Sequence, residues 1–193
     1  MKEEQKVSFI HSISAKIMLL AVTAVVVSVL IVAFRAGTES RSVVGDVSAD
    51  YILSMAEMGA EVVNNIPQDD ADTGEYEKVL ADIHMEGIES SYAYLVDTDG
   101  TMLYHPTAEK IGQPVENTVV LGVVAELAKG QIPANEMVTY DFKGVTKYAA
   151  YVITADRQIV VVTADEDEIM QPLDVMVKKI ILLSIIILVA AVI

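Results

Sequence analysis

Cysteine and tryptophan are absent from this 193-residue chain, and basic residues are scarce, with 13 lysines and arginines against 28 aspartates and glutamates. Without cysteine no disulfide can form, yet the compartment stays open, because a disulfide-free exported domain and a cytosolic one both fit. The shortage of positive charge is more selective. Between Arg35 and Lys179 there are 10 basic and 26 acidic residues. Such a surface repels nucleic-acid phosphates and anionic headgroups, so no nucleic-acid partner is expected. The acidic surplus has no Asp-x-Asp-x-Asp loop, and His11, His84 and His105 do not cluster, so its simplest role is solubility and neither metal nor cofactor is expected. Ser90, Ser91 and His105 occur without a Gly-x-Ser-x-Gly elbow or a His-Glu-x-x-His helix, and no enzyme is expected.

What the chain has in excess is apolar sequence, 53% of its residues, concentrated in two runs. Ile17 to Phe34 holds 18 residues without a charge, which at about 1.5 Å each cross most of a roughly 30 Å hydrocarbon layer. This exceeds a signal-peptide core of about 7 to 15 residues, and Val32-Ala33-Phe34-Arg35 is a poor cleavage site, so the run reads as an uncleaved anchor. Ile180 to Ile193 is a second run of 14. Shorter than the about 20 residues a span needs, it reads as the first part of a second transmembrane helix, and the sequence as a fragment. Lys2, Lys6 and Lys16 before the first run, against Arg35 and Arg41 after it, tilt the N-terminus weakly to the inside. The expected organisation is a cytoplasmic tail at 1–16, a transmembrane helix at 17–34, an extracytoplasmic domain at 36–178 and the start of a second transmembrane helix at 180–193, in a multi-pass protein of the cytoplasmic membrane.

Beyond Arg35 the apolar residues Val44, Val47, Tyr51, Met55, Met58, Val62 and Ile66 recur at steps of three and four until Pro67. They predict one long amphipathic helix continuing the first span, with its stripe buried on a sheet or on the same helix of a second copy. After an acidic loop, Asp72 and Glu75 resemble a capping box for a helix from Gly74 to about Gly87. A third helix is expected from about Asn117 to Lys129, stopped by Gly130, and a fourth from Asp165 into the final apolar run.

Between these helices, Tyr92 to Thr163 contains five short runs that read as one antiparallel sheet. The first two meet at Asp99-Gly100 and the next two at Lys143-Gly144, while Ile159 to Thr163, apolar on both faces, reads as the central strand. A two-residue turn at Asp99-Gly100 pairs Thr98 with Thr101, Val96 with Leu103 and Tyr94 with His105; the other pairs Tyr140 with Lys147. Some 30 residues between the second and third strands cross one face, and the pocket is expected beneath them.

A His, a Lys and several Tyr on stiff strands suit a small anion, since they offer fixed N–H and O–H donors and one permanent charge. The candidate ligand-binding residues are Tyr94, His105, Tyr140, Lys147 and Tyr151, the last because it shares the Lys147 face whereas Tyr148 does not. Each has a plainer reading. His105 could cap a strand end, Lys147 could face water at a sheet edge, and the tyrosines could be core that reaches a partner through O–H.

The string Ser91 to Pro106, with its aspartate–glycine turn and final His-Pro, is followed by Ile111-Gly112-Gln113-Pro114, Tyr140-Asp141-Phe142-Lys143-Gly144, Lys147-Tyr148-Ala149-Ala150-Tyr151 and the acidic Asp165-Glu166-Asp167-Glu168-Ile169. In combination these resemble the extracellular Cache sensor domain of methyl-accepting chemotaxis proteins, over about Ala36 to Lys178. The room between the apolar runs fits a single module. The resemblance implies an α+β fold, a long N-terminal helix packed on a five-stranded antiparallel PAS-like sheet and flanked by two transmembrane helices. It also implies the sensor region of a bacterial chemoreceptor that binds a small molecule outside the membrane, in a homodimer formed through the long N-terminal helix. The aromatic and arginine set of the amino-acid-binding double modules is incomplete, and this favours a short carboxylate. The alternative implied is the same sensor feeding a histidine kinase or a cyclic-dinucleotide enzyme and binding an amino acid or nucleobase.

Overall fold

A computed structural model describes residues 13–67 and 71–192. His11 and most of the expected cytoplasmic tail lie outside the described residues, as does Ile193. Packing divides the chain into two compact units, Met1–Val43 with Gln171–Ile193, and Val44–Met170.

The described residues of the first unit form helix segments. Helix α1 runs unbroken over Ile13–Asn64, so Gly37 does not interrupt it, and its N-terminal part is the apolar run. Helix α4, Glu166–Val192, carries the second run. Within this unit Arg41 is ion-paired to Asp174, and the α-carbon of Gly37 faces Val177 so closely that a Cβ there would sit 3.3 Å from its Cγ2. Among the described residues one helix, α1, is long and apolar enough to cross a membrane.

The second unit is an antiparallel sheet between two helical layers. Its strands are β1 (Tyr92–Val96), β2 (Met102–Tyr104), β3 (Glu136–Phe142), β4 (Val145–Ile153) and β5 (Ile159–Asp165), in the order β2-β1-β5-β4-β3. β5 is central, as its two apolar faces require, and all but its last residue are buried. On one face the end of α1 buries Ile52, Met55, Ala56, Ala60 and Val63. At Gly59 the helix comes so close that a Cβ would stand 2.9 Å from Val160 Cγ1, so the missing side chain sets the spacing of helix and sheet. Of the stripe expected from sequence only Met55 is among these buried residues, and Val47, Tyr51 and Met58 are exposed, so the sheet-facing side of the helix is turned away from that stripe.

Two expectations need correction. Helix α2 spans Thr73–Leu80 and stops well before Gly87, although Asp72 does cap it by accepting from the Glu75 amide at 2.9 Å. The second concerns the β1–β2 register. Val96 pairs with Met102, not with Leu103, and a bulge between Leu95 and Val96 restores the expected count so that Leu95 meets Tyr104. The cause is a wider turn. The Asp97 amide bonds Thr101 O at 2.8 Å and the Gly100 amide bonds Asp97 O at 2.9 Å, which takes Thr98 and Thr101 out of the ladder. Tyr140 faces Lys147 as expected, across a turn whose Lys143 and Gly144 both have positive φ.

The crossover between β2 and β3 covers the other face. Its first part is pinned along the outer edge of β2 by bonds from the Met102 amide to Gln113 O, the Gly112 amide to Met102 O and the Val115 amide to Gly100 O. It then enters α3, Thr118–Ala128, whose Val120, Val123 and Leu127 pack on Val96, Ala149, Tyr151, Ile159 and Val161.

Candidate functional site

Where the crossover changes from the pinned segment to α3, it leaves a small pocket against the sheet. Strand β1 supplies Tyr92 and Tyr94, which alternate onto one face, and β3 supplies Tyr140 and Phe142 in the same way. From the crossover come His105, Lys110, Glu116 and Asn117, with Met102 and Val115 filling the floor. The free volume is about 20 Å³, room for one water. A ligand of several atoms therefore needs the pocket to widen.

The polar groups in this pocket are arranged as donors. Asn117 has two tasks. Its Oδ1 caps α3 by accepting from the Val119 amide at 2.9 Å, and its Nδ2 donates to the Tyr94 hydroxyl at 3.2 Å. Tyr94 accepts there, so its own O–H is left to give elsewhere. The Thr107 amide donates to His105 Nδ1 at 2.9 Å, which places the imidazole proton on Nε2. Among the described residues nothing accepts from that Nε2–H. Burial, and next the Lys110 ammonium, lower the His105 pKa to about 4, so at neutral pH the ring is an uncharged donor.

The tyrosines also keep their protons. Burial pushes Tyr92 up to about 12, helped by Tyr140 and Asp165; burial likewise raises Tyr94 well above its ordinary value and raises Tyr140. The rings stack around the imidazole, with centroids 5.1 Å from Tyr92 to His105 and 5.7 Å from Tyr94 to His105. Charge enters through Lys110, whose Nζ lies 5.8 Å from the Phe142 centroid and forms no ion pair among the described residues. Glu116 is bonded to Lys143 at 2.8 Å, and that lysine, first by the bond and then by its charge, holds the carboxyl below its ordinary pKa.

Of the five candidates read from sequence, the fold brings Tyr94, His105 and Tyr140 into this lining. Lys147 and Tyr151 lie on the same face but outside it. Lys147 is buried and ion-paired to Asp165, its Nζ 5.9 Å from the Tyr92 centroid; the Tyr151 hydroxyl donates to Glu136 Oε2 at 3.2 Å beneath α3. Tyr92 and Phe142 were legible as the period-two neighbours of Tyr94 and Tyr140. Lys110 and Asn117 were not, because they sit where the backbone is irregular and no period assigns a face.

The chain matches no family model and no curated protein. Solved structures do resemble it. They are sensor domains. The sensor domain of E. coli DcuS is similar with 14% identity and a TM-score of 0.45, covering 68% of this chain and 98% of its own. The periplasmic sensory domain of the Campylobacter jejuni chemoreceptor Tlp1 is similar with 20% identity and a TM-score of 0.41, over 52% of this chain. The ligand-binding domain of Mlp24, determined with asparagine, has 12% identity and a TM-score of 0.40 over 54% of this chain. This chain spans 40% of the Mlp24 domain and 37% of the Tlp1 domain.

Proposed function

We propose that the chain is the input region of a bacterial transmembrane chemoreceptor, binding a short carboxylate beneath the crossover and reporting through α4. The observation that carries the ligand class is the convergence of donors: the Tyr94 O–H, the His105 Nε2–H and the Lys110 ammonium, with the only carboxylate in the lining already bonded to Lys143. An anion satisfies all three at once, whereas a cation meets none of them. In this reading the apolar part of α1 anchors the receptor in the cytoplasmic membrane, the sensor lies outside, and α4 leads into a second span. Val47, Tyr51 and Met58, exposed on α1, are the stripe on which a second copy packs in a homodimer.

The test is the thermal midpoint of the chain against short carboxylates, amino acids and nucleobases. A ligand at 100 times its dissociation constant adds about 2.7 kcal/mol, a rise of several degrees. A rise with a carboxylate supports the reading. A rise with amino acids or nucleobases alone keeps the sensor and replaces the pocket chemistry, and no rise with any member contradicts a binding role.

A further inference from the structure

Lys147 stands between the pocket wall and the start of α4. In the sheet register Tyr140, Lys147 and Asp165 form one cross-strand row through β3, β4 and β5. Tyr140 lines the pocket, and Asp165 is the last residue of β5, immediately before Glu166 opens α4. The Lys147 side chain is 11% exposed and closes an ion pair with Asp165, and its ammonium lies 5.9 Å from the centroid of Tyr92, whose ring also borders the pocket. The same junction is tied to the chain before β1. The Asp165 amide donates to Ser90 Oγ at 2.9 Å, and the Glu168 carboxylate accepts from the Glu89 and Ser90 amides at 2.7 and 2.8 Å.

Resting on the pocket reading above, we propose that Lys147 is a relay that exchanges partners. It holds Asp165 when the pocket is empty and turns toward a bound carboxylate, so that binding releases the Asp165 carboxylate at the residue immediately before α4. The geometry allows this because a lysine ammonium sits on four flexible carbons, while Tyr140 and Asp165 are its immediate neighbours on either side. A buried lysine must keep an anionic partner, so the ligand can take it from Asp165 only by supplying the replacement charge. Binding and release are therefore coupled, and the coupling is reciprocal: whatever frees Lys147 from Asp165 strengthens carboxylate binding.

The experiment uses the full 193-residue chain in lipid nanodiscs, with acetate, propionate, lactate and succinate titrated calorimetrically into wild type, D165N, K147M and the double variant. Wild type binds at least one acid, and D165N binds it roughly fivefold tighter, because the competing carboxylate is gone. The gain vanishes in the K147M background, which separates the exchange from general removal of negative charge near an anion site. Amide exchange at Ile169 and Met170 quickens on adding the acid to wild type and is already quick in D165N. If an acid binds wild type but D165N binds it no tighter, or gains equally without Lys147, the relay is overturned and the pocket reading stands. If no acid binds any of the four proteins, the pocket reading falls and the relay falls with it.

Discussion

Acidification should remove stability through one residue of the pocket, His105. The residue is buried, its ring accepts a backbone amide at Nδ1, and its pKa is lowered from 6.5 to about 4, by burial first and by Lys110 second. An unfolded chain takes up this proton near 6.5, while the folded one resists until about 4. Within that window the unfolded state binds more protons, so stability rises with pH and falls as the medium is acidified. For a shift of this size, the loss relative to pH 8 is about 2 kcal/mol at pH 5 and about 3 kcal/mol at pH 4. Paired carboxylates also lose stability on acidification, so the test is a difference. His105→Asn retains an acceptor for the Thr107 amide and cannot titrate. Urea unfolding followed by tyrosine circular dichroism, which suits eight tyrosines and no tryptophan, should show the wild-type advantage over this variant shrinking by about 2 kcal/mol between pH 8 and pH 5. A constant difference over that range would show that the ring titrates as if in water, and the argument that it is a buried neutral donor would fail.

Gly59→Ala should destabilise the domain although it improves helix propensity by about 1 kcal/mol. The new Cβ would meet Val160 Cγ1 at 2.9 Å, a stiff β-branched side chain in the central strand, and overpacking of this kind costs about 1–3 kcal/mol. A higher midpoint in the variant would mean that helix and sheet separate freely. Asn117→Ala removes the cap of α3 and the donor to Tyr94, so a loss of about 1–2 kcal/mol is expected in urea titrations. Lys143→Met should loosen the crossover by freeing Glu116, visible as faster amide exchange at Val115 and Glu116, with little change in global stability because both partners are exposed. Unchanged exchange there would remove this pair from any role in opening the pocket.

How much of this was legible from sequence followed periodicity and turn chemistry. The alternation of Tyr92, Tyr94 and Val96 and the unbroken apolarity of Ile159–Val162 place β1 and β5 because a strand has only two faces. Lys143-Gly144 fixed the pairing of Tyr140 with Lys147, since two positive-φ residues leave one turn geometry. Asp99-Gly100 did not, because Asp97 and Thr101 close a wider loop and a bulge absorbs the difference. Charge was harder. Lys147 reads from sequence as a permanent charge offered to a ligand, but the anion that meets it within the chain, Asp165, is 18 residues away and depends on the order of β4 and β5. Lys110 was invisible because its face depends on backbone bonds from the pinned segment to β2, which no pattern encodes.

In the proposed function a carboxylate sits beneath the crossover with Lys110 as its charged partner. Calorimetric titration of the strongest-binding acid into wild type and Lys110→Met tests it most directly. A charge-assisted hydrogen bond is worth about 1.5–3 kcal/mol, so the variant should bind about 10- to 150-fold more weakly. Its midpoint without acid should stay that of wild type, because Lys110 forms no ion pair among the described residues. Equal affinity in the two proteins would place the ligand elsewhere and contradict the account.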